Sequence, residues 1–235
     1  MKFSIVIPAR NESAYLAACL EAIAVAARPY AGTTEVIVVL NRCTDDTGAI
    51  ARRHGAQVIH DDSRNLAKIR NAGARQARGE FFVTIDADSR MSPNMLTEIE
   101  RKLASGKYIG GGVPIRPERL SPGILLTGLV IFSLLRFRIS AGLFWCRRED
   151  FNAIGGFNEA LVIAEDIDFA HRLKAHGRKT GQRFGTLWRT QIITSCRKFD
   201  HFGDWFALKH PRTLWRALHG VDSGLADAVF YDFKR

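Results

Sequence analysis

The chain has 235 residues, of which 46% are hydrophobic and 25% charged, enough apolar content for one sizeable core and too much for a disordered chain. Lys and Arg number 34 against 24 Asp and Glu, a formal charge of +10 that favours phosphates, nucleic acid or an anionic membrane as partners. No apolar run reaches the ~18–20 residues that cross a bilayer, and four scattered cysteines without a CxxC pair exclude a zinc ribbon or a disulfide framework.

In chain order, Lys2 to Ile7 reads as a buried strand ended by Pro8, with Asn11-Glu12-Ser13 as helix-start chemistry. Tyr15 to Ala27 is an alanine-rich helix with Leu16, Leu20 and Ile23 on one face. Glu35 to Leu40 is a second, β-branched strand, and the polar turn Asn41 to Thr47 opens a helix to about Arg53. A third strand is predicted over Gln57 to His60, a helix over Leu66 to Ala77, a fourth strand over Phe81 to Ile85, a helix over Pro93 to Leu103 and a fifth strand over Tyr108 to Val113. Such alternation predicts an α/β domain with a mainly parallel central sheet flanked by helices. We read residues 1–113 as a ligand-binding half and 114–235 as an acceptor and catalytic half of one domain.

The second half is less regular. Gly123 to Trp145 is unusually apolar, broken by Arg136 and Arg138, and reads as a core helix plus strand, an acceptor tunnel or an interfacial membrane helix. Arg147 to Ile154 reads as a short helix, Glu165 to His176 as a helix ended by Gly177, Lys179 to Thr194 as strand and loop, and Asp204 to Leu218 as a last helix. The opening residues look like a strand and not a secretory leader, so reduced thiols in a cytoplasm are expected.

Parallel sheets bind ligands at the carboxyl ends of their strands. Three polar stretches fall there: Ala9 to Glu12, Asn41 to Asp46 and Asp86-Ala87-Asp88. On extended backbone, side chains two apart point the same way, so Asp86 and Asp88 would share a face and need a cation between or beside them. Oxygen ligands suit Mg²⁺ or Mn²⁺, which can also take diphosphate oxygens. Asn11, Glu12, Asp45 and Asp46 can accept from a base edge and ribose, although such residues also cap helices. Arg70 can reach a nucleotide, and Gly73 permits close helix–strand approach. Glu165 and Asp166 open a helix, where the macrodipole keeps a carboxylate ionised as a general base must be. His201 is a candidate third metal ligand, and Arg197 or Lys198 a neutraliser of a leaving diphosphate.

Six stretches carry a resemblance: Phe3 to Glu12, Asn41 to Thr47, Arg70 to Gly73, Gly79 to Ser89, Phe144 to Phe157 and Ala164 to Gly177. In this order the chain resembles the family 2 glycosyltransferases of the GT-A fold. The resemblance implies inverting transfer of one sugar from a UDP- or GDP-linked donor to an acceptor hydroxyl. By motif position, Pro8, Ala9, Asn11 and Glu12 would border the base, Asp45 the base or ribose, Asp86 the ribose or metal with Ala87 beside the donor, and Asp88 the metal. Asp166 would be the base, with Glu165 beside it for the acceptor. No nucleic-acid partner is expected, and peripheral membrane contact would run through residues 123–145. A sugar nucleotidyltransferase would need a glycine-rich loop where Pro8-Ala9-Arg10-Asn11-Glu12 stands, and a dehydrogenase a GxGxxG after a strand. A non-catalytic scaffold for lipid or a partner would not need Asp86, Asp88 and Asp166.

Overall fold

A computed structural model describes residues 1–134, 142–162 and 164–205. Strand β1 (Phe3–Ala9) is the spine. It pairs in parallel with β2 (Thr34–Leu40) on one side and β4 (Phe81–Ile85) on the other, and β2 pairs in parallel with β3 (Gln57–His60). Beyond β4 the sheet continues through β8 (Leu143–Arg147), β6 (Tyr108–Gly112) and β9 (Arg183–Thr186), giving the order β3-β2-β1-β4-β8-β6-β9. Strand β8 is antiparallel to both β4 and β6, while β9 is parallel to β6, so every strand but β8 runs the same way. The α/β reading therefore holds, and one set of strand ends gathers on one edge.

The strands are apolar on both faces, as a doubly covered sheet requires. Alternating β1 side chains split between two cores. Phe3, Ile5 and Ile7 pack with helices α1 (Leu16–Ala26), α2 (Thr47–Arg53) and α4 (Met95–Ala104). Val6, with Ile37 and Val39 of β2, packs with α3 (Leu66–Gln76), α6 (Arg148–Ala153) and α7 (Glu165–Lys179). A Cβ on Gly73 would lie 2.3 Å from a Val6 methyl and 2.9 Å from one of Val39, so α3 rides on β1 and β2 at a distance only glycine allows.

A second, three-stranded sheet sits at the carboxyl edge: β5 (Ser89–Met91), β10 (Ile192–Thr194) and β7 (Ile115–Pro117), in the order β5-β10-β7. These strands are three residues each, too short for an alternation pattern, and β5 and β7 were not expected from the sequence. From β7 the chain passes into α5 (Pro122–Leu134), and from β10 into α8 (Arg197–Phe202).

Four local expectations change. The strand runs through Pro8 to Ala9; Pro8 lies past the last β1–β4 pair, Val6 with Thr84, where its missing N–H costs no bond to β4. Helix α1 begins at Leu16 with no side-chain cap, so Asn11-Glu12-Ser13 is a loop and not a helix start. Gly177 does not end α7; it lies buried inside the helix, where a Cβ would meet Ile109 at 2.7 Å. Asp86-Ala87-Asp88 is not extended but a turn closed by Ser89 N–H donating to the Asp86 carbonyl at 3.0 Å. The apolar stretch from Gly123 resolves into α5 and the buried strand β8, and residues 135–141 and the predicted helix beyond Trp205 fall outside the described residues.

Candidate active site

The ends of β1 and β2 are stitched together. Asn11 adopts a left-handed backbone (φ 51°), which asparagine tolerates, and its Oδ1 accepts from Thr44 N–H at 2.8 Å. Asp45 accepts from Ser13 N–H and Thr47 N–H, both at 3.0 Å. Glu12 N–H donates to the Thr47 hydroxyl at 2.8 Å. Burial raises the Asp45 carboxyl, but hydrogen bonds from Thr47 and Ser13 outweigh it and hold its pKa below the ordinary value. Asp45 and Asp46 also line an open groove of about 690 Å³ with Arg42, Arg52, His60 and Asp62.

Because Asp86 and Asp88 stand on a turn, they meet different cations. Asp86 takes Arg70 at 3.0 Å, and Asp88 takes Arg197 at 3.0 Å. Ser195, just past β10, donates to Asp88 at 3.1 Å. The Arg197 guanidinium also forks onto both oxygens of buried Glu12, at 2.7 and 2.8 Å, and lies 5.2 Å from the Tyr15 ring. Burial disfavours its charge, yet Glu12, Asp88 and Tyr15 hold its pKa above the arginine norm.

Arg70 repeats the pattern on the other side. It reaches up from α3, donates to Glu165 at 2.8 Å and to Asp86 at 3.0 Å, and feels Asp166 as well. Burial works against the guanidinium, but those three carboxylates raise its pKa. Glu165 is buried, and loss of water pushes its carboxyl up despite Arg70. Asp166 follows at the start of α7, partly buried, accepting from Ile167 N–H at 2.8 Å. Beneath the cluster, the Cys19 thiol is pushed up by burial and then by Asp88, Asp86 and Glu12. Two arginines thus join Asp86 to Glu165 and Glu12 to Asp88, from segments far apart in sequence, with Asp166 next to Glu165.

Pro8 and Ala9 form the end of β1 below this cleft, and Ala87 is buried in the turn. His201 stands exposed on α8, four residues past Arg197. Among the described residues no three His, Cys, Asp or Glu side chains group as a metal centre, His201 included. Asp86 and Asp88 offer only carboxylate oxygens, each already paired with an arginine. An oxygen-only pair fits a hard divalent ion that completes its shell with phosphate oxygens and water. The pairing of Arg197 with Glu12 was not legible in the sequence, since 185 positions separate the partners; nor was the part of Tyr15, which read only as the start of a helix.

A mainly parallel sheet with acidic loops converging on its carboxyl edge is the architecture of an α/β protein that binds its ligand at that edge. Residues 4–156 match the family model described as Glycosyl transferase family 2, more than half of the chain, and the chain belongs to that family. An uncharacterized glycosyltransferase of Mycobacterium tuberculosis is 34% identical over 103 residues, covering 44% of this chain and 44% of the relative. One of Haemophilus influenzae is 24% identical over 190 residues, covering 72% of this chain and 61% of the relative. The chain thus spans under half the length of the mycobacterial relative. Among solved structures, S. aureus TarS 1-349 in complex with UDP-GlcNAc aligns with a TM-score of 0.67 at 21% identity, over 99% of this chain and 71% of that one. The mannosyltransferase PcManGT from Pyrobaculum calidifontis, in complex with GDP-Man and Mn²⁺, aligns with a TM-score of 0.66 at 18% identity, over 100% and 76%. These likenesses establish the fold.

Proposed function

We propose that the protein transfers a single sugar, with inversion, from a nucleotide diphosphate sugar to an acceptor hydroxyl. The observation that carries this reading is the Arg70 guanidinium, which binds Asp86 and Glu165 together and lies within the field of Asp166. This supports a donor-side carboxylate and a base candidate acting at one place. The groove beside Asp45 has the volume of a small-ligand site, and we assign it to the nucleoside end of the donor. Fold neighbours hold such donors, UDP-GlcNAc in TarS and GDP-Man with Mn²⁺ in the mannosyltransferase.

Asp86 and Asp88 would hold Mn²⁺ or Mg²⁺, which when bound supplies positive charge to the diphosphate. Asp166 takes the proton from the acceptor hydroxyl as its oxygen attacks the anomeric carbon from the face opposite the diphosphate. Glu165, held by Arg70, fixes the start of α7 and orients the acceptor. Arg197 is near enough to Asp88 to add positive charge beside the departing diphosphate. The four cysteines are unpaired, which suits the reducing, cytoplasmic setting we assign.

The test is a thermal-shift screen of nucleotides and nucleotide sugars with Mn²⁺, followed by donor hydrolysis with and without the ion. A bound nucleotide stabilises the fold by mass action, about 2.7 kcal/mol at a hundredfold excess over Kd. A chain stabilised by no nucleoside diphosphate, with or without metal, would overturn the reading.

A further inference from the structure

Among the described residues, the large exposed apolar side chains are unevenly placed. Met1 apart, all of them follow residue 114. Ile115 begins β7, just past the carboxyl end of β6, and Trp188 follows the carboxyl end of β9. Leu120, Leu125 and Leu129 lie on α5 and the connection into it. That connection is tied to the site side of the molecule: Glu118 N–H donates to the Thr194 carbonyl at 2.9 Å, and Arg119 forks onto Asp204 at 2.8 and 2.9 Å, past α8 and its Arg197. The greasy surface is therefore the catalytic rim, while the opposite edge presents no such side chain beyond Met1.

The exposures are large. Trp188 is 75% accessible, Leu129 62% and Leu125 57%. Helix α5 buries Ile124 and Thr127 on one face and turns Leu125, Leu126 and Leu129 outward. Its 13 described residues are too few to cross a bilayer, and no described helix is long and apolar enough to do so. Exposed arginines sit beside exposed apolar groups at two points, Ile115-Arg116 and Trp188-Arg189, while Arg119, next to Leu120, is held by Asp200 and Asp204. Apolar side chains that enter acyl chains, an indole at headgroup level and guanidinium groups on phosphates are the composition of an interfacial surface. A protein partner would need no such alternation, and the formal charge of +10 matches anionic lipid.

We propose that this rim docks on an anionic phospholipid bilayer and that the acceptor is a lipid-linked hydroxyl compound presented at that surface. This keeps α5 from the expected contact and adds Ile115 and Trp188, and it rests on the sugar-transfer reading for the acceptor. Strand β9 is three strands from β4, about 14 Å at ~4.8 Å per strand, so Trp188 and the Asp86 turn that follows β4 stand on the same carboxyl edge of the sheet.

The experiment is co-sedimentation of the full chain with vesicles of neutral phosphatidylcholine, alone or with 30% (roughly the anionic fraction that sets a cytoplasmic surface potential) phosphatidylglycerol, without donor. The expected result is binding to the anionic vesicles that falls at least about tenfold with L125D/L129D, and again with R116E/R189E. The amino-edge double variant R53E/K107E, which changes the charge as much as R116E/R189E, should bind like the parent. No vesicle binding, equal loss in the amino-edge variant, or a dimer that L125D/L129D converts to monomer would overturn the proposal, the last assigning the rim to a second copy. Because no donor is used, vesicle binding stands or falls apart from transfer. With donor, a lipid-linked alcohol should be glycosylated in anionic vesicles faster than the same alcohol shortened to be soluble. Equal rates would remove the acceptor assignment while leaving docking intact.

Discussion

Arg70 and Glu165, 95 positions apart in the chain, meet at 2.8 Å in the floor of the cleft, both nearly sealed from water. Neither charge is tolerable there alone, so the pair couples the folding of the first half of the sheet to the start of α7. Arg70→Ala leaves Glu165 buried without its cation, an uncompensated charge that costs about 3–5 kcal/mol. Arg70→Lys should recover only part of this, because a point charge cannot fork between Glu165 and Asp86 as the guanidinium does. Urea unfolding of both variants checks the order.

Asp166 stands beside that pair and is not needed by it. Asp166→Asn should keep the fold and nucleotide affinity while lowering transfer by about 10²–10⁴, the range of a lost general base. Isothermal titration with UDP or GDP alongside initial rates separates the two effects. An Asn variant with near-normal turnover would move the base elsewhere in the cleft, Glu165 first.

Much of this arrangement was legible in the sequence wherever the signal was local. The strands at Gln57 and Phe81 have the boundaries expected of them, since turn residues bracket β-branched or aromatic runs. Gly73 announced close packing of α3, and it has it. What failed was geometry set from a distance. The Asp86–Asp88 segment looked extended because a strand precedes it, yet the need to pair β5 with β10 turns the chain at once. Gly177 looked like a helix stop, but Ile109 packs against it and α7 runs on to Lys179. The Glu12–Arg197 pair joins two halves that no local pattern connects.

Arg197 already supplies positive charge to Glu12 and Asp88, so a divalent cation approaching Asp88 meets a resident competitor. In the absence of ligand, Arg197→Ala should lower stability by about 3 kcal/mol, chiefly by removing the two-pronged ion pair from buried Glu12. Added MnCl₂ should then raise the melting temperature of the variant more than that of the parent, and chelation by EDTA should reverse the gain. Equal shifts in the two proteins would mean that Arg197 and the cation do not compete for Asp88.

At the opposite edge of the sheet, a carboxylate of similar burial has a purely structural task. Glu35, at the start of β2, accepts from the Ser4 hydroxyl at 2.6 Å, from Arg78 N–H at 2.7 Å and from the Arg78 guanidinium at 2.7 and 2.9 Å. Burial pushes its pKa up, but the bonds from Ser4 and Arg78 win and hold it below the ordinary 4.5. A depressed native pKa gives stability that is present above the unfolded value and lost as pH falls through the native one. Glu35→Gln should therefore cost about 2 kcal/mol at pH ~7, as buried charge-assisted bonds are replaced by weaker neutral ones. The gap should narrow steadily below pH ~4.5 and close once the parent carboxyl is protonated. Urea midpoints of the two proteins across that range check the sign. A gap that widened toward acid would mean the native carboxyl is raised and not lowered. Transfer per folded molecule should be the same in both, because Glu35 sits at the amino edge, away from the proposed donor site.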